Sequence, residues 1–493
     1  MTNTLICNFP PLDQARPPLS GAIIAAVCRN QGHDCVVVDL QHSLNEFLKQ
    51  KNIDTEYFND VFYENQRSFT SDQETLLIKF VNTQLEQLKV DTYDYILCSL
   101  FSYLAQPFAK IFLTQLRSKT KAKVVIGGAG LVNFSMNTDL PFPEKLKKSG
   151  IIDQYITGEA EEALVQYFEQ DSGPGIGNNN FKQIEHLDIQ PWPDYTYYKL
   201  ENYATHNQEL LIIGSRGCVR KCTFCDVVKT SPKYRYRSGQ NIAKEIIHHY
   251  ETHGVTRYYF ADSLVNGSYK AFDDMCNTLA NYKFDQPISW SGQYIIRNQK
   301  TTPKNHFELL RSSGCSTLFV GIESGSDRVR AELGKNFTND DIEYYLENFA
   351  QNNISILFLM FSGYISETQE DYQEALTLFP RWQRFVATGT IQGIETLNIL
   401  SILPGAPLEE IARQKNFLFL ADHTGTPNLR SWIDPSRPDY DFKERVRWHV
   451  GMIQEAIKYK WPLWNGALSM RLYEQALKEF LNNEKKYIPI TQL

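Results

Sequence analysis

Gly214-Ser-Arg-Gly-Cys218-Val-Arg-Lys-Cys222-Thr-Phe-Cys225-Asp226 places three cysteines at the spacing C-x3-C-x2-C. Thiolates this close can ligate three irons of a cubane cluster and leave the fourth iron without a protein ligand. An open coordination position suits a catalytic metal centre better than a structural one. Soft thiolates also select zinc, and a Cys3His site with His248 or His249 as fourth ligand would use the same cysteines. The apolar run Leu211-Ile-Ile213 reads as a short buried strand that delivers the loop. Gly214 and Gly217 suit a tight backbone path around a bulky centre.

Upstream of the cysteines the chain alternates strand and helix. Leu5–Cys7, Cys35–Val38, Tyr95–Cys98, Lys123–Ile126 and Tyr155–Gly158 read as strands, with a small-residue helix over Ser20–Asn30 and an acidic one from Glu159. Repeated β-α units with apolar runs predict a parallel, doubly wound, Rossmann-like sheet. Such sheets bind ligands at the carboxyl ends of their strands, where Ser99, Gly127 and Gly128 fall. Residues 64–89 read as a polar helix or insertion, 171–180 as a loop, and Pro191-Trp-Pro-Asp194 as an extended connector. The division expected is therefore 1–170 as the first domain, 171–204 as linker, 205–405 as a second α/β domain and 406–493 as a mainly helical tail rich in Trp, Tyr and Arg.

Downstream, strands are expected at Leu211–Ile213, Arg257–Phe260, Ile288–Trp290, Leu318–Val320, Ser355–Phe361 and Leu397–Leu403. Six β-α units fit a partial TIM-type barrel, whose chemistry sits at the C-terminal strand ends. Polar motifs cluster at those ends: Asp262, Gly321-Ile-Glu323-Ser324-Gly325, and Gly363 with Glu367 and Thr368. Each also has a plain structural reading, as a strand-end carboxylate or a helix N-cap.

The cysteine run, with Phe224 before its last cysteine, resembles the cluster loop of the radical S-adenosylmethionine (SAM) enzymes. The Gly-Ile-Glu-Ser-Gly run is similar to that family's SAM-pocket strand. Phe361-Ser-Gly363-Tyr-Ile-Ser-Glu367-Thr368 resembles its Gly-x-Pro-Gly-Glu-Thr turn, with Ile365 and Ser366 in place of Pro-Gly, and Leu403-Pro-Gly405-Ala-Pro407 resembles its Pro-Gly-x-Pro element. Ser263 stands where the family often has a second acid after Asp262, and Lys335 matches a recurrent lysine. The resemblance covers about residues 5 to 410 and extends to the subgroup with a cobalamin-binding domain ahead of the barrel.

It implies a [4Fe-4S] cluster on Cys218, Cys222 and Cys225. It also implies SAM contacts from Phe224, Asp262, Gly321, Glu323, Ser324 and Gly363, and cobalamin contacts near Ser99, Gly127 and Gly128. The Asp-x-His-x-x-Gly cobalamin signature is absent: the loop Asn8–Gly21 holds no histidine, and His33 and His42 read as surface residues. The resemblance implies reductive SAM cleavage to a 5′-deoxyadenosyl radical, cobalamin-dependent methylation of an unactivated carbon, and a low-potential donor such as flavodoxin or ferredoxin. A radical SAM oxidoreductase, cyclase or mutase with a scaffold first domain is the alternative. A non-catalytic iron–sulfur sensor or zinc module stands as an alternative of another class. A small molecule or peptide is the expected substrate.

Composition sets outer bounds. Among 493 residues, 42% are hydrophobic and 22% charged, which is ordinary for globular domains. A net charge of −7 gives no nucleic-acid footprint, although residues 229–237 hold four basic side chains. No apolar run reaches the ~18 residues of a membrane span. Nine cysteines and an N-terminus without a positive signal-peptide region suggest a reducing, cytoplasmic setting. Cys7, Cys28, Cys35 and Cys98 read as core residues, which argues against a methylthiotransferase with a second cluster there. Cys315 reads as a buried structural thiol just before the fourth barrel strand, with hydrogen donation to a substrate radical as the minor alternative. Trp432, Trp461 and Trp464 read as covers of the barrel mouth or as packing anchors.

Overall fold

The computed structural model describes residues 2–55, 62, 69–131, 142–170, 183–203, 208–303, 305–420, 428–464 and 487–490. The chain forms two compact units, Met1–Leu210 and Leu211–Leu493.

In the first unit β1 (Asn3–Asn8), β2 (Asp34–Asp39), β3 (Tyr95–Ser99), β4 (Lys123–Gly127) and β5 (Gln154–Ile156) form a parallel sheet of order β2-β1-β3-β4-β5. Period-two alternation explains why these short apolar runs are strands with two buried faces. Leu5, Cys7, Ile96, Cys98, Val124 and Ile126 join one core, with helices Leu40–Gln50, Ser71–Gln87 and Gln106–Arg117. Ile6, Leu97 and Val125 point the other way, onto helices Leu19–Asn30 and Glu161–Gln170. Each fully buried side chain of this size contributes about 1.5–3 kcal/mol. This is the doubly wound sheet expected from the alternation, and its order reverses between β1 and β3, the usual ligand crevice of such sheets. Of the polar stretch 64–89, the described part is the helix Ser71–Gln87, opened by a Thr70–Gln73 capping box. The loop 171–180 lies outside the described residues.

The stretch read as a connector packs onto the first unit where it is described. Asp194 N donates to Ala22 O, and Tyr198 Oη donates to Pro18 O. Tyr203 Oη donates to Asp39, whose carboxylate also caps the helix Leu40–Gln50. These bonds make residues 183–203 part of the first unit's fold.

The second unit is built on a six-stranded sheet of order β13-β12-β11-β10-β9-β6, from β6 (Glu209–Ile212) at one edge to β13 (Ile391–Ile399) at the other. Between them lie β9 (Arg257–Phe260), β10 (Ser289–Tyr294), β11 (Cys315–Glu323) and β12 (Ser355–Ser362), paired in parallel from β9 to β13. Helices alternate with the strands, and several start at side-chain caps such as Ser238, Ser268, Ser326, Thr338 and Thr368.

Two expectations are corrected. The last barrel strand starts and ends earlier than Leu397–Leu403: it is Ile391–Ile399. The apolar run beyond it is buried for another reason. Leu400 N donates to Ser362 O, and Leu400 O accepts from Trp432 Nε1, so the chain turns off the sheet beneath the tail. Cys315 is the first residue of β11 rather than a residue before it. It is fully buried, and burial pushes its thiol pKa up.

The described tail holds helices Pro407–Gln414 and Phe442–Lys458 and a two-stranded ladder of β14 (Leu418–Leu420) with β15 (Tyr487–Pro489). Trp432 and Trp461 are packing anchors: Trp432 stacks on Phe417, and Trp461 stacks on Phe358 and donates to Phe379 O. Trp464 is 60% exposed. Among the described residues no helix is long and apolar enough to cross a membrane.

Candidate functional site

The cysteine loop leaves the carboxyl end of β6 and returns through a small antiparallel ladder, β7 (Ser215–Arg216) with β8 (Arg235–Tyr236). Its root is held by Asp262 at the end of β9. One carboxylate oxygen accepts from Gly214 N at 2.9 Å and the other from Ser215 Oγ at 2.5 Å. Asp262 is buried, and burial pushes its pKa up to about 7 against the pull of these donors. Both oxygens are therefore occupied by the loop. Arg237, beyond the ladder, donates to Ile213 O at 2.8 Å and pairs with buried Glu245, which His249 also faces at 3.7 Å.

Within the loop, Cys222 is buried and Cys218 and Cys225 are half-buried. Burial raises the pKa of each thiol, and the thiols raise one another's through their charges. Lys335 opposes this at Cys218 and Cys222. Its ammonium is fixed by Gly321 O at 2.5 Å and Glu323 Oε1 at 2.8 Å. A cation beside thiols that must deprotonate on binding suits a metal centre.

Among the described residues no three His, Cys, Asp or Glu side chains are grouped to hold one metal ion. A tetrahedral zinc needs every sulfur about 2.3 Å from one centre, whereas a cubane takes each thiolate on a different iron. The donor set, three cysteines on one loop at the spacing C-x3-C-x2-C, is of the chemistry a cluster takes. His249, engaged with Glu245 and stacked on His253 at 5.7 Å, sits on the helix Gly239–His253.

The Gly-Ile-Glu-Ser-Gly run closes on the cysteines from β11. Glu323 adopts a left-handed φ of 63° where the β11–β12 register shifts. A non-glycine residue there costs of order 1–3 kcal/mol, a strain that clusters at functional sites. Its charge reaches Cys222 and Cys225. Ser324 is buried; its hydroxyl accepts from Ser326 N and its carbonyl from fully buried Arg330. Ser326 is the helix N-cap and also donates to Asp371 at 2.7 Å.

Phe224 meets Phe361 edge to face at 5.1 Å. Gly363 follows β12 with φ of 85°, and a Cβ there would lie 2.7 Å from Arg445 Cδ. Only glycine fits both constraints. Glu367, fully buried, accepts from Gly363 N at 2.7 Å, Tyr364 N at 3.1 Å and Tyr440 Oη at 2.9 Å. The turn thus keeps its glutamate without Pro-Gly. The structure brings Cys218, Cys222, Cys225, Phe224, Gly321, Glu323, Ser324 and Gly363 to the carboxyl ends of the strands.

Arg437, Tyr440 and Arg445 were not read from the sequence as site residues. They lie in the tail, about 70 residues from the turn they hold, and no motif marks them.

In the first unit Ser99, Gly127 and Gly128 sit at the ends of β3 and β4. Ser99 is buried, in register with Asn8. Gly128 has φ of 106°, and a Cβ there would meet Leu100 O at 2.3 Å, so the loops after β3 and β4 pack backbone on backbone. Phe101, just past Ser99, is 71% exposed. The exposed Phe101 ring is an apolar surface that a broad, flat ligand such as cobalamin would cover, whereas the close approach at Gly128 is taken by the backbone of Leu100. His33 is partly exposed, and its ring lies tilted against Phe168 with centroids 4.1 Å apart. His42 follows β2 and contacts Asn202 at 3.2 Å.

Comparison with known proteins agrees with this architecture. Residues 212–379 match the family model of the radical SAM superfamily. An uncharacterized methyltransferase of Pyrococcus horikoshii is 25% identical over 259 residues, 51% of this chain and 52% of that protein. A tRNA-2-methylthio-N(6)-dimethylallyladenosine synthase of Prosthecochloris aestuarii is 25% identical over 246 residues, 48% and 52% of the respective chains. The chain thus spans about half the length of these curated relatives.

Among solved structures, the radical SAM methyltransferase TsrM of Kitasatospora setae, with tryptophan substrate and a SAM analog bound, superposes with a TM-score of 0.64 at 15% identity. The match covers 92% of this chain and 89% of TsrM. OxsB, a cobalamin-dependent SAM radical enzyme with aqua-cobalamin bound, gives 0.62 at 14% identity over 88% and 64%. At these identities the likeness is one of fold.

Proposed function

The chain carries a radical SAM domain over residues 212–379, and on that premise we propose that it cleaves SAM reductively at a [4Fe-4S] cluster and methylates an unactivated carbon with cobalamin. The carrying observation is the convergence at one strand end of three thiols, the Lys335–Glu323 pair and the strained backbone of Glu323. When bound, the cluster supplies the electron that splits the sulfonium of SAM, and cobalamin supplies a methyl carrier.

This chain's residues do the holding and orienting. Cys218, Cys222 and Cys225 would hold the cluster, on which SAM would be bound. Lys335 offsets the cost of gathering thiolates. Glu323 offers a carboxylate, and Ser324 and Gly321 a close-fitting strand end, to the polar parts of SAM. Phe224 and Phe361 form an apolar wall, and the Gly363 turn presents backbone to the adenine side. Asp262 holds the loop's root. Ser99, Gly127, Gly128 and Phe101 form the cobalamin face. A low-potential flavodoxin or ferredoxin supplies the electron, and the substrate is a small molecule or peptide.

A second reading, radical chemistry without cobalamin, is favoured by the loop Asn8–Gly21, which offers no histidine to cobalt. Methylthio transfer is disfavoured because Cys7, Cys28 and Cys98 are sealed in the first unit's cores.

The test uses anaerobically reconstituted full-length protein with hydroxocobalamin, reduced and supplied with SAM. Formation of 5′-deoxyadenosine and S-adenosylhomocysteine with cobalt retained, all lost in Cys222→Ala except the cobalt, is the expected result. 5′-Deoxyadenosine without cobalt retention selects the second reading. Zinc in place of iron and no cleavage overturns both.

A further inference from the structure

Thr223, the residue after Cys222, is tied at three points to three different elements. Its amide donates to Leu333 O at 3.3 Å, at the end of the helix Asp327–Glu332. Its carbonyl accepts from Leu408 N at 2.7 Å, in the first turn of the helix Pro407–Gln414. Its hydroxyl meets Tyr364 Oη at 3.1 Å, in the turn after β12. Tyr364 is only 3% exposed, so its hydroxyl has little access to water and depends on this partner.

The turn that carries Tyr364 is itself held by the tail. Arg437 donates to Ile365 O at 2.5 Å and to Glu367 O at 2.7 Å, and its guanidinium lies 4.5 Å from the centre of the Tyr440 ring. Tyr440 donates to Glu367, and Glu367 accepts from the amides of Gly363 and Tyr364. Arg437, Tyr440 and Glu367 therefore hold the backbone of the turn, and the Tyr364 side chain carries that hold to the residue between two cluster cysteines.

We propose that Thr223 and Tyr364 form a strut that sets the position of the cysteine loop relative to the SAM pocket, with Arg437 and Tyr440 as its footing, so that the tail is part of the reaction centre's positioning machinery. This deepens the reading of the loop as a cluster site and rests on it. None of the four residues touches the reacting atoms in this account; they are positioning residues. SAM, when bound, would be held by the cysteine loop's cluster and by the strand ends together, so a shift of the loop against the Gly363 turn would weaken its binding while leaving the thiols free to take up iron.

The experiment compares wild type, Thr223→Val, Thr223→Ser, Tyr364→Phe and the Thr223→Val/Tyr364→Phe double variant, full-length and reconstituted anaerobically. Iron and sulfide content, the electron paramagnetic resonance (EPR) spectrum of the reduced cluster with and without SAM, and the SAM concentration that half-saturates the spectral change are measured. Thr223→Val and Tyr364→Phe should load four irons as wild type does. Each should need about two- to tenfold more SAM, the range one net hydrogen bond supplies. The double variant should be no worse than either single one, and Thr223→Ser should recover most of the loss.

Wild-type SAM response in both single variants, additive losses in the double variant, or equal impairment in Thr223→Ser and Thr223→Val overturns the strut while leaving the cluster reading intact. A wild-type protein that takes up no four-iron cluster overturns the reading and the strut with it.

Discussion

Replacing Asp262 with asparagine should flatten part of the pH dependence of the second unit's stability. The carboxylate is 4% exposed, accepts from Gly214 N and Ser215 Oγ, and has its pKa lifted from 3.8 to about 7, chiefly by burial. A folded-state pKa above the unfolded one means that the folded protein holds the proton more tightly. The group's contribution to stability is full below about pH 4 and is lost as pH rises through about 7. The gap between 3.8 and about 7, at about 1.36 kcal/mol per pH unit, corresponds to about 4 kcal/mol over the whole range, of which more than half falls between pH 5 and 8.

Asparagine matches the shape and does not titrate. Its carbonyl can take Gly214 N, and its amide can donate to Ser215 Oγ, whose proton already has Leu264 O at 3.1 Å as an acceptor. No buried partner is orphaned, so the variant should hold its stability where wild type declines. Urea unfolding of cluster-free protein, followed by tryptophan fluorescence at several pH values, measures this, since six of the seven tryptophans lie beyond residue 210. The expected result is a wild-type-minus-variant difference that falls by about 2–3 kcal/mol from pH 5 to 8. Parallel curves for the two proteins would refute the argument that Asp262 is a desolvated carboxylate.

Lys335→Met removes the cation that lowers the pKa of Cys218 and Cys222. The pH profile for alkylation of these thiols by iodoacetamide should shift to higher pH; an unchanged profile counts against an electrostatic role for the lysine. Gly363→Ala meets both a left-handed backbone and the Arg445 side chain. It should destabilise the second unit by about 1–3 kcal/mol in the same urea assay, and a loss under 0.5 kcal/mol would show that the turn relaxes freely.

The parts of the fold legible in the sequence are those where one short-range pattern decides the outcome. Leu5 to Cys7 and Lys123 to Ile126 alternate between two apolar faces, and both became central strands. Cys218, Cys222 and Cys225 stand out because metal chemistry restricts the residue type as well as the spacing. The apolar pattern points to a sixth strand later than the one the sheet holds, because Ile399, Leu400, Ile402 and Leu403 are apolar whether the sheet or Trp432 covers them, and hydrophobicity alone does not distinguish the two covers. A carboxylate at the end of β9 is equally visible in the sequence, but the direction its oxygens take is set by Gly214 and Ser215, 48 and 47 residues away.

Supporting contacts are harder to read for a related reason. A buried hydroxyl or carboxylate needs some partner, and many residue pairs can meet that need, so neither Thr223 nor Tyr440 carries a signature of its role. Tyr440 finds Glu367 across 73 positions, and Thr223 finds Tyr364 across 141. The Ile365-Ser366 pair in place of Pro-Gly is the one local clue. Proline would restrict that turn through its own ring; without it, the conformation must be imposed by other means. Here Arg437 bonds to the carbonyls of Ile365 and Glu367 from the tail. The tail's grip therefore supplies by hydrogen bonds a restraint that no proline ring supplies at this turn.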